Sequence, residues 1–131
     1  MKHTTFRGFH VKQIDFISNV RSGTRLELTF NYAYRVRYAT NNTCEGELTA
    51  TVQAKDDPKN FHINMVVCGV FAFQDDVSKE ELHLETYDEL FPHFRSLMMT
   101  ITAAGGIPPV TPPYIDISGS DIYRFDSGEK K

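Results

Sequence analysis

Residues 61–106 read FHINMVVCGVFAFQDDVSKEELHLETYDELFPHFRSLMMTITAAGG, and the spacing of apolar residues changes halfway through this stretch. Over 61–73 every second residue is apolar, which is the period of a β-strand, and after Asn64 the intervening residues become apolar as well. A strand with two apolar faces is expected to be covered on both sides. Beyond residue 77 the period lengthens to that of an α-helix, so a buried strand is followed by a helix.

The start and the end of this helix are both marked in the sequence. Ser78-Lys79-Glu80-Glu81 is a capping-box pattern, and Gly105-Gly106 is a strong stop signal. One helical stripe of apolar residues lies between them: Tyr87, Leu90, Phe91, Phe94, Leu97, Met98 and Ile101. Pro92 leaves two alternatives, because it either kinks one long helix or lies in the first turn of a second helix that begins near Thr86.

Three further strands are predicted before this stretch. Residues 26–38 alternate strictly between apolar and polar, and residues 46–54 show the same alternation less clearly. Residues 6–17 form a less regular strand, with a bulge expected near Gly8. Turn sequences separate the four strands at hairpin spacing, at Ser22-Gly23, Asn41-Asn42 and Asp56-Asp57-Pro58. Strands followed by helices indicate an α+β fold with an antiparallel sheet.

The region after the helix is rich in proline. Residues 107–114 hold four of the six prolines, and such a segment is stiff, extended and short of backbone donors. A short helix is expected from Ser118 to Tyr123, and 126–131 is expected to be a flexible tail. The sequence therefore predicts one domain over 1–125.

Length and composition place the chain among globular proteins. Its 131 residues are 40% hydrophobic and 24% charged, which is ordinary for a single domain with a core of its own. No run of about 18 apolar residues occurs, and residues 1–5 lead into a strand without the apolar segment of a secretory signal. We therefore expect a soluble, cytoplasmic protein.

The charge and the cysteines agree with that expectation. The net charge is −3, with the acidic surplus concentrated at 75–89, where seven acids accompany one lysine. This distribution does not fit a nucleic-acid-binding surface. Cys44 and Cys68 are expected to be single buried thiols, because a disulfide or a shared metal site would require the two residues to be adjacent in space.

No constellation of residues points to catalysis. His62, His83, Glu85 and His93 match no zinc-ligand spacing, and we expect no metal site and no cofactor. Acids at a helix start, Asp88 among them, are explained by the helix dipole. No phosphate-binding glycine loop and no nucleophile motif occurs. We therefore expect that the protein is not an enzyme.

The feature that needs explanation is the surplus of aromatic side chains. Ten Phe and six Tyr lie mostly on the predicted strands, on the helix stripe and in the proline-rich segment. Most of them are expected to form the core. Four strands and two helices do not easily cover both faces of a sheet, so the remainder indicates an oligomer interface or an apolar groove.

Two unusual motifs occur in succession, Leu90-Phe91-Pro92-His93-Phe94-Arg95 and Gly105-Gly106-Ile107-Pro108-Pro109-Val110, followed by Tyr114-Ile115-Asp116. In this combination the chain resembles the SecB protein-export chaperone family, whose members have a Phe-Pro pair near a helix start and Gly-Gly-x-Pro-Pro after the helix. Val11-Lys12-Gln13-Ile14-Asp15-Phe16 and Gly69-Val70-Phe71 are weaker agreements.

The resemblance implies a four-stranded antiparallel Greek-key sheet, a long helix, a proline-rich crossover loop and a short C-terminal helix. It implies a cytoplasmic bacterial holdase that assembles as a dimer of dimers and uses neither ATP nor a cofactor. Such a chaperone binds unfolded polypeptides, including preproteins, in long apolar grooves and keeps them competent for export by the SecA motor. The residues expected in the groove are Phe71, Phe73, Phe94, Ile107, Val110, Tyr114, Ile122 and Tyr123.

One departure from the family concerns docking to the motor. The positions that match the acidic docking patch of the family are Gln13, Ile17 and Asn64, and none of them is acidic. Two chaperone roles remain, general export through another docking surface, or service to a narrow client such as the antitoxin of a toxin–antitoxin system. A module that binds a small apolar ligand in the same cavity is the alternative from another class.

Overall fold

The computed structural model describes residues 3–20 and 26–115. Its elements are β1 (Thr4–Ser18), β2 (Leu28–Tyr38), β3 (Thr43–Ala54), β4 (Phe61–Phe73) and α1 (Lys79–Ala104). The α+β class and the order of strands and helix are confirmed. The short helix expected over 118–123 lies outside the described residues.

The four strands form one antiparallel sheet in the order β1-β4-β3-β2. β2, β3 and β4 follow one another as hairpins, and β1 lies beside β4, so the Greek-key arrangement implied by the resemblance is confirmed. The hairpin spacing around Ser22-Gly23 is misleading, because β1 does not pair with β2. β3 and β4 bury more of their residues than the other strands, and this order places both of them inside the sheet.

β1 is irregular for a physical reason. Its register against β4 shifts between Phe6 and Gly8 and again between Val11 and Gln13, so the strand carries two bulges. The bulge predicted near Gly8 is confirmed, and the second is an addition to the prediction. Each bulge places one extra residue on β1. Without it, the apolar side chains that follow would face away from the helix, because a shift of one residue moves every side chain of a strand to the other face.

α1 is a single helix that continues through Pro92. The capping box is confirmed, since the Ser78 Oγ accepts a hydrogen bond from the Glu81 amide at 3.1 Å and the Glu81 carboxylate accepts from the Ser78 amide at 3.2 Å. The helix ends before Gly105, and Gly106 has a positive φ of 87°, which glycine adopts without strain. Of the two alternatives for Pro92, one long helix is therefore correct.

α1 packs on one face of the sheet, and the core lies between them. The fully buried side chains of this core come from the inner faces of β3 and β4 and from the helix stripe: Leu48, Val52, Phe61, Ile63, Met65, Phe71, Tyr87, Leu90, Phe94 and Met98. None of the described elements covers the opposite face, which we call the open face. No described helix has the length and apolar character needed to span a membrane.

The expectation that β4 is buried on both sides after Asn64 is confirmed in its middle. The outward residues Val66 and Cys68 are buried, although none of the described elements packs on that face. Lys12 on β1 and Glu47 on β3 form an ion pair at 3.2 Å, and the strand between them is β4, with Cys68 opposite Glu47. Among the described residues, long charged side chains of the neighbouring strands thus shield the middle of β4.

The beginning of β1 is attached to the first half of α1 through Glu85. Its carboxylate accepts hydrogen bonds from the amides of His3 at 2.6 Å and Thr4 at 3.0 Å, and from the Thr4 hydroxyl at 3.0 Å. Burial disfavours the charged form of Glu85, but these hydrogen bonds outweigh it and hold the pKa below its usual range. Glu85 therefore stays ionised at neutral pH and anchors the edge strand to the helix.

Candidate functional site

The proline-rich segment after the helix lies along α1 and runs back toward its N-terminus. The Val110 amide donates a hydrogen bond to the Thr102 hydroxyl at 2.8 Å, and farther along the segment Tyr87 donates to the Ile115 carbonyl at 2.8 Å. Because the helix partner moves from 102 to 87 as the segment advances, the two run antiparallel. We call residues 107–115 the strap.

The strap is held mainly through its own carbonyl groups. Tyr32 on β2 donates its hydroxyl to the Pro113 carbonyl at 2.8 Å, and Arg95 on α1 donates to the Pro112 carbonyl at 3.3 Å. Together with the bond from Tyr87, three side chains from two rigid elements therefore contact three backbone oxygens. The prolines of the strap offer no backbone donors, so a surface that holds this segment must supply donors itself.

The rings of Tyr87, Phe91 and Phe94 on α1 form an aromatic floor beneath the strap, and Tyr114 of the strap packs on it. The ring of Tyr114 lies 5.3 Å from Phe91 and 5.6 Å from Tyr87, and Phe91 lies 5.5 Å from Phe94 between ring centroids. Edge-on and tilted contacts at these separations are favourable between aromatic rings. The guanidinium of Arg95 lies over Phe91 at 5.0 Å, where the ring positions it toward the strap.

Burial keeps the Tyr32 donor protonated. Desolvation raises the pKa of its phenol well above the usual range, the nearby Tyr87 adds to this, and Arg95 opposes it to a lesser degree. The hydroxyl of Tyr32 is therefore a hydrogen-bond donor at any physiological pH. At the outer end of the floor, the Tyr114 hydroxyl donates to the Asp88 carboxylate at 2.6 Å.

The structure brings together half of the residues that the sequence analysis placed in a groove. Phe94 and Val110 are buried, Ile107 is half-buried, and Tyr114 is 48% exposed, all of them on α1 and the strap. Phe71 is fully buried against Phe6, with ring centroids 5.3 Å apart.

The remaining predicted groove residues lie elsewhere. Phe73 packs against Tyr38 on β2, with ring centroids 6.2 Å apart. Ile122 and Tyr123 lie outside the residues that the structure describes. All eight assignments to a groove stay predictions.

The three donors Tyr32, Tyr87 and Arg95 are not among the site residues predicted from the sequence. Tyr32 and Tyr87 belong to the alternating and helical apolar patterns, and those patterns predict burial without indicating what a hydroxyl contacts. Arg95 adjoins Phe94 in the first of the motifs that carry the family resemblance, and this is the one signal in the sequence that pointed toward it.

The predicted docking positions and the two cysteines lie on the sheet. Gln13, Ile17 and Asn64 face outward on β1 and β4, with Ile17 49% exposed. Cys44 and Cys68 are both buried and free. Cys44 pairs across the strands with the inward Phe71 and Cys68 with the outward Glu47, so the two thiols lie on opposite faces and do not share a site.

Comparison with known proteins identifies the fold. No family model matches the chain. A protein of Methanocaldococcus jannaschii described as uncharacterized protein MJ0357 is 29% identical over 123 residues, which cover 87% of this chain and 79% of that protein. Among solved structures, the Mycobacterium tuberculosis SecB-like chaperone Rv1957, in complex with a ChAD peptide from the Rv1956 HigA1 antitoxin, superposes with a TM-score of 0.71. The chain has the fold of a SecB-like chaperone.

This likeness is one of fold, since the sequence identity to Rv1957 is 14%, over 86% of this chain and 91% of that one. A protein of unknown function from Streptococcus agalactiae is similar at a TM-score of 0.49, also with 14% identity, over 85% of this chain and 97% of that one. The four-stranded sheet followed by one long helix is thus shared with a SecB-like chaperone.

Proposed function

We propose that this protein is an ATP-independent holdase chaperone, which binds unfolded polypeptides, preproteins for export among them, and keeps them competent for translocation. The observation that carries the proposal is the way Tyr32, Tyr87 and Arg95 hold the strap by its backbone carbonyls. Every polypeptide presents such carbonyls, so binding of this kind does not depend on the client sequence. The fold shared with Rv1957 supports the same role.

The proposed client site is formed by the strap and the aromatic floor beneath it. Tyr114 on the strap is its exposed part, and Phe94 on α1 together with Ile107 and Val110 on the strap forms its deeper part. A client reaches Phe94 once the strap moves aside, and its own carbonyls then replace those of the strap at the three donors. Phe71, Phe73, Ile122 and Tyr123 remain proposed members of the same groove.

The proposal includes assembly as a dimer of dimers and a cytoplasmic location, with no catalytic step, no nucleotide and no cofactor. Half-buried apolar side chains line the inner face of the edge strand β1, at Phe9, Ile14 and Phe16, and assembly would cover them. The test is the mass in solution by light scattering, first alone and then with a reduced, slowly folding client. A mass near four chains that gains one unfolded client without nucleotide supports the proposal, and a monomer indifferent to unfolded chains contradicts it.

A narrower role is the second candidate, namely a chaperone dedicated to one client such as an antitoxin. Two observations favour it: Rv1957 is bound to an antitoxin peptide, and Gln13, Ile17 and Asn64 do not form the acidic patch through which the motor would dock. Binding to several unrelated unfolded proteins separates the two roles. A general holdase binds all of them with similar affinity, whereas a dedicated chaperone binds none.

The site itself is tested by Tyr114→Ala. This substitution removes the exposed ring of the strap from the client site, and we expect client affinity to fall about tenfold, because an aromatic anchor at an interface contributes roughly 1–2 kcal/mol. The measurement is suppression of client aggregation over a range of chaperone concentrations. Ile17→Ala is the matched control, since Ile17 is equally exposed but lies on the open face. An equal loss in both variants would place client binding elsewhere.

A further inference from the structure

Three side chains that can ligate a metal converge on the open face of the sheet, away from the strap. They are His10 on β1, Glu45 on β3 and Cys68 on β4, and their ligand atoms all lie within 4.8 Å of one another. His10 is directly opposite Cys68 in the register of β1 and β4. Glu45 lies two residues from Glu47, which is opposite Cys68 on the other side. The cluster thus bridges three adjacent strands.

The cluster combines one fixed ligand with two adjustable ones. Cys68 is fully buried in an inner strand, whereas the side chains of His10 and Glu45 are 54% and 29% exposed. Tetrahedral zinc with bonds of about 2.0–2.3 Å requires ligand atoms roughly 3.5 Å apart. The His10 Nε2 and Glu45 Oε2 atoms are already 3.8 Å apart. The Cys68 Sγ lies within 4.8 Å of both atoms, so zinc binding requires the two partly exposed side chains to approach it more closely.

The charges around the cluster orient Glu45 toward it. Arg37 donates a hydrogen bond to the Glu45 Oε1, so the Oε2 is the oxygen that faces His10. A partner of this kind outside the ligands fixes the orientation of a ligating carboxylate.

Glu47 pairs with the cations that surround the cluster. Its side chain lies 3.2 Å from Lys12, 2.9 Å from Arg35 and 3.2 Å from Arg37. These positive charges are therefore directed toward Glu47, which offsets their repulsion of a metal ion.

We propose that His10, Glu45 and Cys68 bind a zinc ion, with water as the fourth ligand. A thiolate, an imidazole and a carboxylate are ligands that zinc accepts together, and the thiolate discriminates against magnesium and calcium. The ion joins the edge strand β1 to β4 and β3 on the open face. This site is independent of the proposed chaperone function, because it involves neither the strap nor the aromatic floor.

The test is a titration of the reduced, metal-free protein with cobalt(II), which reports on thiolate ligation by absorption. We expect one cobalt per chain, a sulfur-to-cobalt charge-transfer band, and loss of this band when zinc displaces cobalt. Cys68→Ser should abolish the band, and His10→Ala and Glu45→Gln should each weaken binding at least about tenfold. Cys44→Ser is the matched control, because Cys44 is also a buried free thiol but lies on the other face.

Two results would overturn the proposal. One is a titration of the unaltered chain without a charge-transfer band at one equivalent, and the other is an equal effect of Cys44→Ser and Cys68→Ser. His10→Ala changes an exposed side chain and is expected to fold normally, so it remains decisive if Cys68→Ser does not fold. Its unchanged cobalt affinity would likewise exclude the site. Client binding is not part of the readout, so failure here leaves the chaperone proposal untouched.

Discussion

The side chain of Tyr34 on β2 extends over Gly46 of β3 and reaches α1. A Cβ added at this position would overlap the Tyr34 hydroxyl and come within 2.8 Å of the Cζ of the ring. That hydroxyl donates a buried hydrogen bond to Thr86 at 2.6 Å, which links β2 to α1. The close approach therefore requires glycine at residue 46.

We expect Gly46→Ala to lower the free energy of unfolding by about 2 kcal/mol or more, because Tyr34 must shift and its buried bond to Thr86 is strained or lost. The measurement is the urea midpoint of unfolding. Gly8→Ala is the matched control, since a Cβ at Gly8 meets nothing within 4 Å. Equal midpoints for the two variants would contradict the packing described for Tyr34.

The titration of His83 makes the stability of the fold depend on pH. It is buried on α1 against the ring of Tyr34, and desolvation lowers its pKa from the usual 6.5 to about 4. Between these values the unfolded chain binds a proton that the folded chain does not, so stability is full above pH 6.5 and is lost as pH falls toward 4.

We expect a loss of about 1–2 kcal/mol between pH 7.5 and 5, measured by urea unfolding. The variant His83→Gln cannot titrate and should lose correspondingly less over this range. Glu85, whose pKa lies below its usual value, contributes only at lower pH and does not disturb the comparison. The same pH dependence in both proteins would show that His83 is not the group responsible.

At the scale of elements, α1 tolerates a proline in its middle. Pro92 is exposed, and α1 continues on both sides of it. A proline has no amide hydrogen to donate to the carbonyl four residues earlier, which is that of Asp88. The helix therefore forms because its apolar stripe packs on the sheet, and local propensity is overridden.

We expect Pro92→Ala to raise the free energy of unfolding by about 1 kcal/mol or more, since it restores the missing bond and a better helix former. Thermal and urea unfolding both measure this change. Ser96→Ala, one turn farther along the exposed side, controls for the added alanine and should change stability only by a few tenths of a kcal/mol. A lower midpoint for Pro92→Ala would mean that the ring itself makes a stabilising contact.

At the scale of the whole molecule, the sequence predicts a domain over 1–125 and a tail over 126–131. The tail reads Asp-Ser-Gly-Glu-Lys-Lys and has no apolar side chain to bury. We expect a chain that ends at residue 125 to keep its urea midpoint, its mass by light scattering and its client affinity. A fall in any of the three would make the tail part of the domain.

The fold could be predicted further than the candidate site could. The period-two strands and the capped helix follow from local spacing. The apolar periodicity of 26–38 and the cap residues and apolar stripe of 78–106 all lie within the segments whose structure they predict. The strap could only be predicted as stiff and extended. Its position on α1 depends on long-range bonds, such as that of Tyr32 to Pro113, eighty-one residues apart. The groove residues predicted with the help of the family resemblance therefore include both a fully buried side chain, Phe71, and a half-exposed one, Tyr114.

The sequence by itself determined the α+β class, the four strands, the ends of the helix and the stiffness of the proline-rich segment. These follow from periodicity, capping and backbone restriction, which act over a few residues. Only the tertiary structure decided that β1 pairs with β4, that three side chains hold the strap by its carbonyls, and that His10, Glu45 and Cys68 meet on the open face. Such contacts join residues dozens of positions apart, and no local pattern records which of the compatible pairings buries the core best.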